Sequence, residues 1–443
     1  MTLAPAGVRP AALTALDQPP VALYIHVPFC VSHCPYCDFV VVAGREARGP
    51  TNRIGAFVAA VEVELGLRAD ALDARWGRPL AGTEAAAGAA ARAGTRARAG
   101  AGARPALDSL YLGGGTPSLL PAASITRLLA IASERFGLAQ GAEITLEVNP
   151  GADERGDARA LRAAGVTRLS IGAQSLDPAE LRALGRRHSP DDVAATVRAA
   201  RDADFESLGV DLLYDIPGGS LATWQRTVDA VLDLKPDHLS LYALTLDDPD
   251  AEGLTGVDGD HLPVRDGARR WRERARRDQD DDRAAAMYEL ADDRLAAAGL
   301  DWYEISNWCR PGHASRHNQA YWQGEAWEAV GPGAHAFDGE TRRWNAARLD
   351  GYLAALTPDD RSAARLPPGG REPGEPADRE SEAAILALRT RAGLAAAALG
   401  RPAVGPSLAW ALGERLLERT SEDRLVLTRA GRLLSNELFA RLV

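Results

Sequence analysis

The sequence predicts an α/β fold: a partial, six-unit parallel β/α barrel followed by a small C-terminal α-rich, winged-helix-like domain. Three observations carry this reading. Short β-prone runs and amphipathic helical runs alternate six times between Leu23 and Leu244. Each β-prone run ends in a loop bearing glycine or polar residues, where such barrels place their sites. Residues 381–443 read as helices with one β-prone run at 424–428, then Gly431 and a last helix.

Residues 23–27 are apolar and form the first strand, which leads straight into a cysteine-bearing loop. Residues 54–72 place Ile54, Phe57, Val58, Val61 and Leu65 at helical spacing. Residues 81–105 are almost wholly Ala, Gly, Arg and Thr. Without periodic large apolar side chains they cannot offset their ordering entropy, so a disordered or loosely helical surface insertion is expected. Strands follow at 108–112, 143–148, 168–171, 207–213 and 238–244, with helices at 122–136, 158–164, 178–184, 191–203 and 221–232. Repeated βα units imply a parallel sheet with right-handed crossovers. From Asp247 the pattern breaks. Residues 247–282 are charged, basic over 269–277 and acidic over 278–282, and read as a solvated helix or loop. A helix at 284–298 and a strand at 302–305 come next, and the Pro-, Gly- and Arg-rich residues 357–380 read as a linker. The domain plan is a flexible N-terminal segment 1–20, a barrel 21–246, an extension 247–356, the linker 357–380 and the C-terminal domain 381–443.

Three of the four cysteines, Cys30, Cys34 and Cys37, fall within eight residues at spacing C-x3-C-x2-C. Thiolates are soft ligands, and three in one loop suit a metal site. Zinc, with His33 or His26 completing the set, is one reading. A four-iron four-sulfur cluster with one iron left open is the other. Four cysteines in 443 residues do not make a secreted disulfide framework. Pro28 and Pro35 stiffen the loop, while Phe29, Tyr36 and Phe39 either shield a cluster or pack in the core.

Composition narrows the function classes. Hydrophobic and charged contents of 46% and 25% describe an ordinary globular chain. No run of eighteen apolar residues exists, so no transmembrane segment is expected. Residues 1–20 have four prolines and one basic residue, Arg9, and lack the features of a signal peptide, which points to a cytoplasmic location. A net charge of −10 argues against nucleic acid as a partner. Lys235 is the only lysine among 51 basic residues, a composition bias rather than a functional signal.

On these residues the chain resembles the oxygen-independent coproporphyrinogen III oxidase-like family of the radical S-adenosylmethionine (SAM) superfamily, and within it the HemW-type haem chaperones. The resemblance runs from about Tyr24 to the C-terminus, interrupted by 81–105 and 265–279. It implies a barrel of radical SAM type and a 4Fe-4S cluster on Cys30, Cys34 and Cys37, with SAM chelating the open iron. Tyr24 and Tyr36 match SAM-contacting positions. Gly114, Gly115 and Thr116 belong to Gly113-Gly-Gly-Thr-Pro117, a match to the family's run that brings backbone amides to SAM's amino-carboxylate end. Glu147, Gln174 and Arg186 match polar SAM contacts, and Asp211 the acid expected on the ribose hydroxyls.

Two features separate the branches of this family. The decarboxylating enzyme carries a fourth cysteine two positions after the third; here that position is Phe39. The chaperone branch carries H-N-x-x-Y-W, matched by His317-Asn-Gln-Ala-Tyr321-Trp322. The resemblance therefore implies haem as a third cofactor, with His317, Tyr321 and Trp322 contacting it, unless His317 caps a turn and Trp322 fills an interface. Cys309, His313 and His335 are further candidate iron ligands. The implied partners are acceptor haemoproteins, reached by peripheral contact where they are membrane-bound. Oxidative decarboxylation of coproporphyrinogen III and a zinc-structural module are the alternatives. One departure stands out: Asp215 replaces a glycine of the family, and its carboxylate is expected to crowd or repel that of SAM. Asp247 also stands where the family usually has glutamate.

Overall fold

The structure, a computed structural model, describes residues 18–80, 103–357 and 363–443. Six parallel strands form its centre: Ala22–Val27 (β1), Leu107–Gly114 (β6), Leu138–Val148 (β7), Arg168–Gln174 (β8), Ser207–Tyr214 (β9) and His238–Ala243 (β10). They pair in sequence order from β1 to β10. Two short parallel pairs lie beside them, Phe29–Cys30 (β2) with Val42–Ala43 (β3), and Arg78–Pro79 (β4) with Ala103–Arg104 (β5). The helices are Ile54–Trp76 (α1), Ala122–Phe136 (α2), Ala158–Ala163 (α3), Pro178–Ala183 (α4), Pro190–Arg201 (α5) and Leu221–Asp233 (α6). Local chemistry sets their ends. Ser189 with Asp192, and Ser220 with Thr223, close capping boxes that satisfy first-turn amides of α5 and α6. Gly77, at φ +80, ends α1.

Residues 247–356 extend the barrel sheet. They add strands to both edges of the barrel sheet. At one edge Asn307–Cys309 (β12) pairs antiparallel with β10, and Asp301–Glu304 (β11) with β12. At the other, Trp327–Val330 (β13) lies parallel to β1, followed by His335–Phe337 (β14), Thr341–Asn345 (β15) and Gly369–Pro373 (β16). Strand β16 corrects the linker reading of 357–380: its backbone pairs with β15 although its composition is turn-like. Helices Asp266–Arg276 (α7), Asp281–Ala297 (α8), Arg316–Trp322 (α9) and Leu349–Leu356 (α10) complete the region. Helix α7 corrects the solvated reading of 247–282, because its Arg272 is 3% exposed.

Of the expected insertion 81–105, residues 81–102 lie outside the described residues, as do residues 1–17 of the N-terminal segment. The end of the insertion is anchored rather than loose. Arg104 is buried, pairs with Asp73 at 2.8 Å and donates to the Arg135 carbonyl at 2.7 Å. Beyond Arg379–Leu388 (α11), the strands Leu394–Ala395 (β17), Leu417–Arg419 (β18) and Arg424–Leu427 (β19) form a separate antiparallel sheet. Helices Gly405–Gly413 (α12), Arg429–Leu433 (α13) and Ser435–Leu442 (α14) pack with it around Leu388, Leu408, Leu425 and Leu438. This unit is fastened to the barrel by Arg432, which pairs with Asp292 at 2.7 Å and lies 4.7 Å from the centre of the Trp302 ring. Among the described residues no helix is long and apolar enough to cross a membrane.

Glu64 joins α1 to the β13 edge. Fully buried, it accepts from Arg68, the Gly331 amide, Asn345 and Tyr352 at 2.7–3.2 Å. Removing it strands four donors in the interior. Glu64→Ala is expected to destabilise the chain by about 3–5 kcal/mol in urea unfolding, the usual cost of orphaning a buried charge.

Candidate cofactor cavity

The end of β2 and the loop after it carry Cys30, Cys34 and Cys37, all partly exposed, at the mouth of a cavity of about 370 Å³. Each cysteine is held by a different part of the chain. Cys30 Sγ lies 3.3 Å from Thr116 Oγ1, just beyond β6. Cys34 Sγ lies 3.8 Å from Arg186 Nη1, just beyond α4. The Cys37 carbonyl accepts from Arg272 Nη2 at 3.0 Å, and Nε of the same guanidinium donates to the Pro35 carbonyl at 3.0 Å. Arg272 also pairs with Asp38 at 2.6 Å. Asn149 ties two of these anchors together, donating to Thr116 Oγ1 at 2.8 Å and accepting from Arg186 Nη2 at 2.7 Å. Burial pushes the Cys30 thiol up to about 12 and the Cys37 thiol up as well.

Below the loop the cavity is lined from alternate strand positions, as inward-facing barrel residues must be. Glu147 is gripped by Tyr111 Oη at 2.9 Å and the Gly114 amide at 2.8 Å. Burial first, and then the charge of Asp211, push its carboxyl up to about 7. Asp211 accepts from Ser170 Oγ at 2.9 Å and is raised by burial. Gln174 sits at φ +65, where β8 shifts register against β9, a strained position for a residue with a Cβ. Tyr36, Gly114, Gly115, Glu147, Gln174, Arg186 and Asp211 all line this one cavity.

Other expected contacts are placed differently. Tyr24 and Thr116 are not among the lining residues. Tyr24 gives its hydroxyl to His26 Nδ1 at 3.0 Å, and Thr116 is occupied with Cys30 and Asn149. The glycine run does not offer amides to a ligand. Gly114 N goes to Glu147, Gly115 N to the Val27 carbonyl at 2.8 Å and Thr116 N to the Phe29 carbonyl at 2.7 Å. Its glycines serve packing: a Cβ on Gly114, at φ +109, would stand 2.5 Å from His26 Cε1, and one on Gly115 would stand 2.7 Å from the Phe29 carbonyl oxygen. Asp215 does not face the cavity either. At φ +56 its carboxylate turns to α8, accepting from Arg283 Nε at 2.7 Å and the Asp280 amide at 3.2 Å, so the expected clash with SAM does not arise.

His317 is buried under the barrel, with Nδ1 3.1 Å from Ser109 Oγ and Nε2 2.7 Å from Tyr321 Oη. Burial pushes the imidazole down to about 3. Both ring nitrogens are engaged, so an axial bond to iron would first have to break these contacts. Its neighbour Asn318, the second residue of the same motif, lines the cavity instead. Tyr321 packs on Trp327 with ring centres 4.5 Å apart, and Trp322 lies under the Arg389 guanidinium at 4.3 Å. Cys309 is buried on β12 and lines a second cavity of about 440 Å³ with Trp302 and Tyr303, away from the other cysteines. His313 bonds Ser207 at 3.1 Å, and His335 pairs with Asp260 at 2.9 Å. Sequence reading also missed Asn149, Tyr111, Tyr242 and Arg272. The first lies two residues after Glu147, in the run Leu146-Glu-Val-Asn-Pro150 at the end of β7, a signal present in the sequence.

Comparison with known proteins gives a consistent result. The pattern of the Radical SAM superfamily matches residues 91–231. The chain is 36% identical over 443 residues to a protein of Mycobacterium tuberculosis named heme chaperone HemW, covering 100% of both chains. It is 28% identical to the heme chaperone HemW of Bacillus subtilis, over 94% of this chain and 97% of that one. It is 32% identical to the mouse radical S-adenosyl methionine domain-containing protein 1, mitochondrial, over 74% of this chain and 65% of that one. Coproporphyrinogen III oxidase (HemN) from Escherichia coli has the same fold, with a TM-score of 0.70 at 21% identity, over 97% of this chain and 91% of that one.

The three tethers predict that the cysteine loop is held without any metal. Arg272→Met should raise the reactivity of the loop thiols toward a disulfide reagent in metal-free protein by about tenfold, while Arg272→Lys, which keeps the charge but not the fork, recovers little. Stopped-flow thiol titration with equal unfolding midpoints checks it; unchanged thiol rates would dismiss the tether.

Proposed function

We propose, for a chain that belongs to the HemW family of the radical SAM superfamily, that it binds haem and delivers it to acceptor haemoproteins in the cytoplasm. The single observation that carries the reading is the join of two facts. The chain matches a protein named heme chaperone along its whole length. Phe39, 62% exposed at the cavity rim, stands where the decarboxylating branch has a cysteine.

The residues present fit the implied cofactors. Three thiols close in sequence, each held at a cavity mouth, would ligate three irons of a 4Fe-4S cluster and leave one iron without a cysteine. When bound, such a cluster supplies one electron and an open iron on which SAM's amino and carboxylate groups chelate. The chain's own residues would do the rest. Arg186 and Asn149 hold the cysteine loop against the barrel rim. Asp211 and Glu147 present acceptor oxygens to ribose hydroxyls or an ammonium, and Gln174, Gly114, Gly115 and Tyr36 shape the wall. Tyr24 and Thr116 act behind it, through His26 and Cys30. His317, Tyr321 and Trp322 act on haem by shaping the barrel floor rather than by coordinating iron.

Two measurements test this. After anaerobic reconstitution, Cys30→Ala, Cys34→Ala and Cys37→Ala should each lose iron and sulfide, while Cys309→Ala keeps both; zinc in place of iron would favour the zinc-structural alternative. In parallel, haem titration should give a saturable Soret change, while coproporphyrinogen III is left unconverted. His317→Ala should cost about 1–3 kcal/mol of stability, from the unpaired hydroxyls it leaves, with the haem spectrum unchanged. Vinyl product without haem binding would replace the chaperone reading with the decarboxylase one.

A further inference from the structure

Of the eight histidines, all among the described residues, His335 alone is exposed, its side chain at 45%. Its Nε2 donates to Asp260 Oδ2 at 2.9 Å, and the other oxygen of Asp260 lies 2.9 Å from His261 Nδ1. A carboxylate behind an imidazole fixes the ring and strengthens it as a ligand. Among the described residues Nδ1 of His335 has no hydrogen-bond partner, and with the ring proton on the Asp260 side it keeps its lone pair. His317, by contrast, is buried with both nitrogens engaged.

His335 stands on a sheet face lined with rings. Paired residues share a face and residues two apart return to it. The pairs Trp327–Phe337 and His335–Trp344 therefore put four rings on one side of β13–β15. It is also the side of Tyr24, which pairs with Ala329. Trp327, Phe337 and Trp344 are only half-buried. The His335 ring stacks on Trp344 with centres 5.9 Å apart and planes 24° apart, and Trp327 lies 5.2 Å from Phe337. Trp327 Nε1 also donates to the His335 carbonyl at 2.9 Å, which holds β14 in place. The row of rings continues into α9, where Tyr321 packs on Trp327 at 4.5 Å and His317 on Tyr321 at 4.9 Å. The His317–Trp322 segment thus buttresses this face from behind.

A bare metal ion does not suit the arrangement. Asp260, His261 and His335 do not make a three-ligand set, because the carboxylate is spent on the two imidazoles. Haem iron brings four ring nitrogens and takes a single axial histidine, and its flat apolar ring packs well on aromatic side chains. We propose that haem binds on this face with His335 as its axial ligand, Asp260 as the positioning residue and Trp344 and Phe337 as stacking partners. The inference rests on the haem-binding reading above. Coordination is a ligand exchange: Nδ1 gives its lone pair to the iron, the axial water leaves, and Asp260 keeps the Nε2 proton.

The test uses the anaerobically reconstituted full chain and ferric haem, followed by Soret difference spectra and electron paramagnetic resonance. Wild type should show a histidine-ligated iron. His335→Ala should lose that signature and bind haem about tenfold or more weakly, with an equal urea midpoint, and added imidazole should restore the spectrum. Asp260→Asn should keep the complex but raise the reduction potential of the bound haem, since the imidazole then has a weaker acceptor behind it. Trp344→Leu should weaken binding about fivefold with the ligand signature intact. Iron-free protoporphyrin, which stacks but cannot coordinate, should bind wild type and His335→Ala equally. An unchanged haem spectrum in His335→Ala would overturn the site and leave the haem reading standing, and so would an equal loss of affinity for protoporphyrin, which would make His335 a packing residue. A wild-type chain that binds no haem would overturn the haem reading itself.

Discussion

The site depends on a short loop being fixed from outside itself. Between Cys30 and Val42 the chain forms no helix and no strand, so its carbonyls and thiols need partners elsewhere. Those partners come from residues far apart in sequence: Thr116, Arg186 and Arg272 each hold one cysteine, and Asn149 links two of the holders. Such an arrangement places the ordering cost on folding rather than on metal binding. It also leaves a defined proton cost. Burial raises the Cys30 and Cys37 thiols, and a metal that takes thiolates must displace those protons.

The barrel supplies depth and polarity beneath that loop. Pairing of Glu147 with Ser170, Gly172 with Asp211 and Ser240 with Asp211 puts carboxylates and hydroxyls on neighbouring strands. Burial raises both carboxyls, and the charge of Asp211 raises Glu147 further, yet each keeps a donor of its own, Tyr111 for Glu147 and Ser170 for Asp211. The result is a cavity whose acceptors are oriented by strands and whose mouth is closed by the cysteine loop.

What the sequence made legible is what local pattern encodes. The six strands, their helices and the cysteine loop follow from alternation, helical spacing and ligand spacing. What it hid depends on partners distant in the chain. Arg272 sits in a run of arginines that local charge alone describes as solvated, and only its meeting with Pro35 and Cys37 distinguishes it from Arg270 or Arg274. Strand β16 looks like a linker because an edge strand tolerates Gly and Pro when a neighbour such as β15 supplies the ladder. The glycine run looked like a ligand cradle, but the atoms crowding its missing Cβ groups belong to His26 and Phe29.

The His317–Trp322 segment is better described as a partition than as a ligand set. One side of α9 meets the barrel, where the His317 ring lies 5.1 Å from that of Tyr111 and Asn318 lines the first cavity. Its other side, through Arg316, Gln319, Ala320 and Gln323, lines the second cavity with Cys309. Ser315 caps the helix by accepting from the Asn318 amide, and the amides of Arg316 and His317 are fixed on Glu143 at 3.0 and 3.3 Å. A helix of seven residues has little stability of its own, so these bonds, with the His317–Tyr321 contact inside it, are what keep the wall in place. The histidine is thus required by the geometry of the wall, and a change there alters both cavities at once.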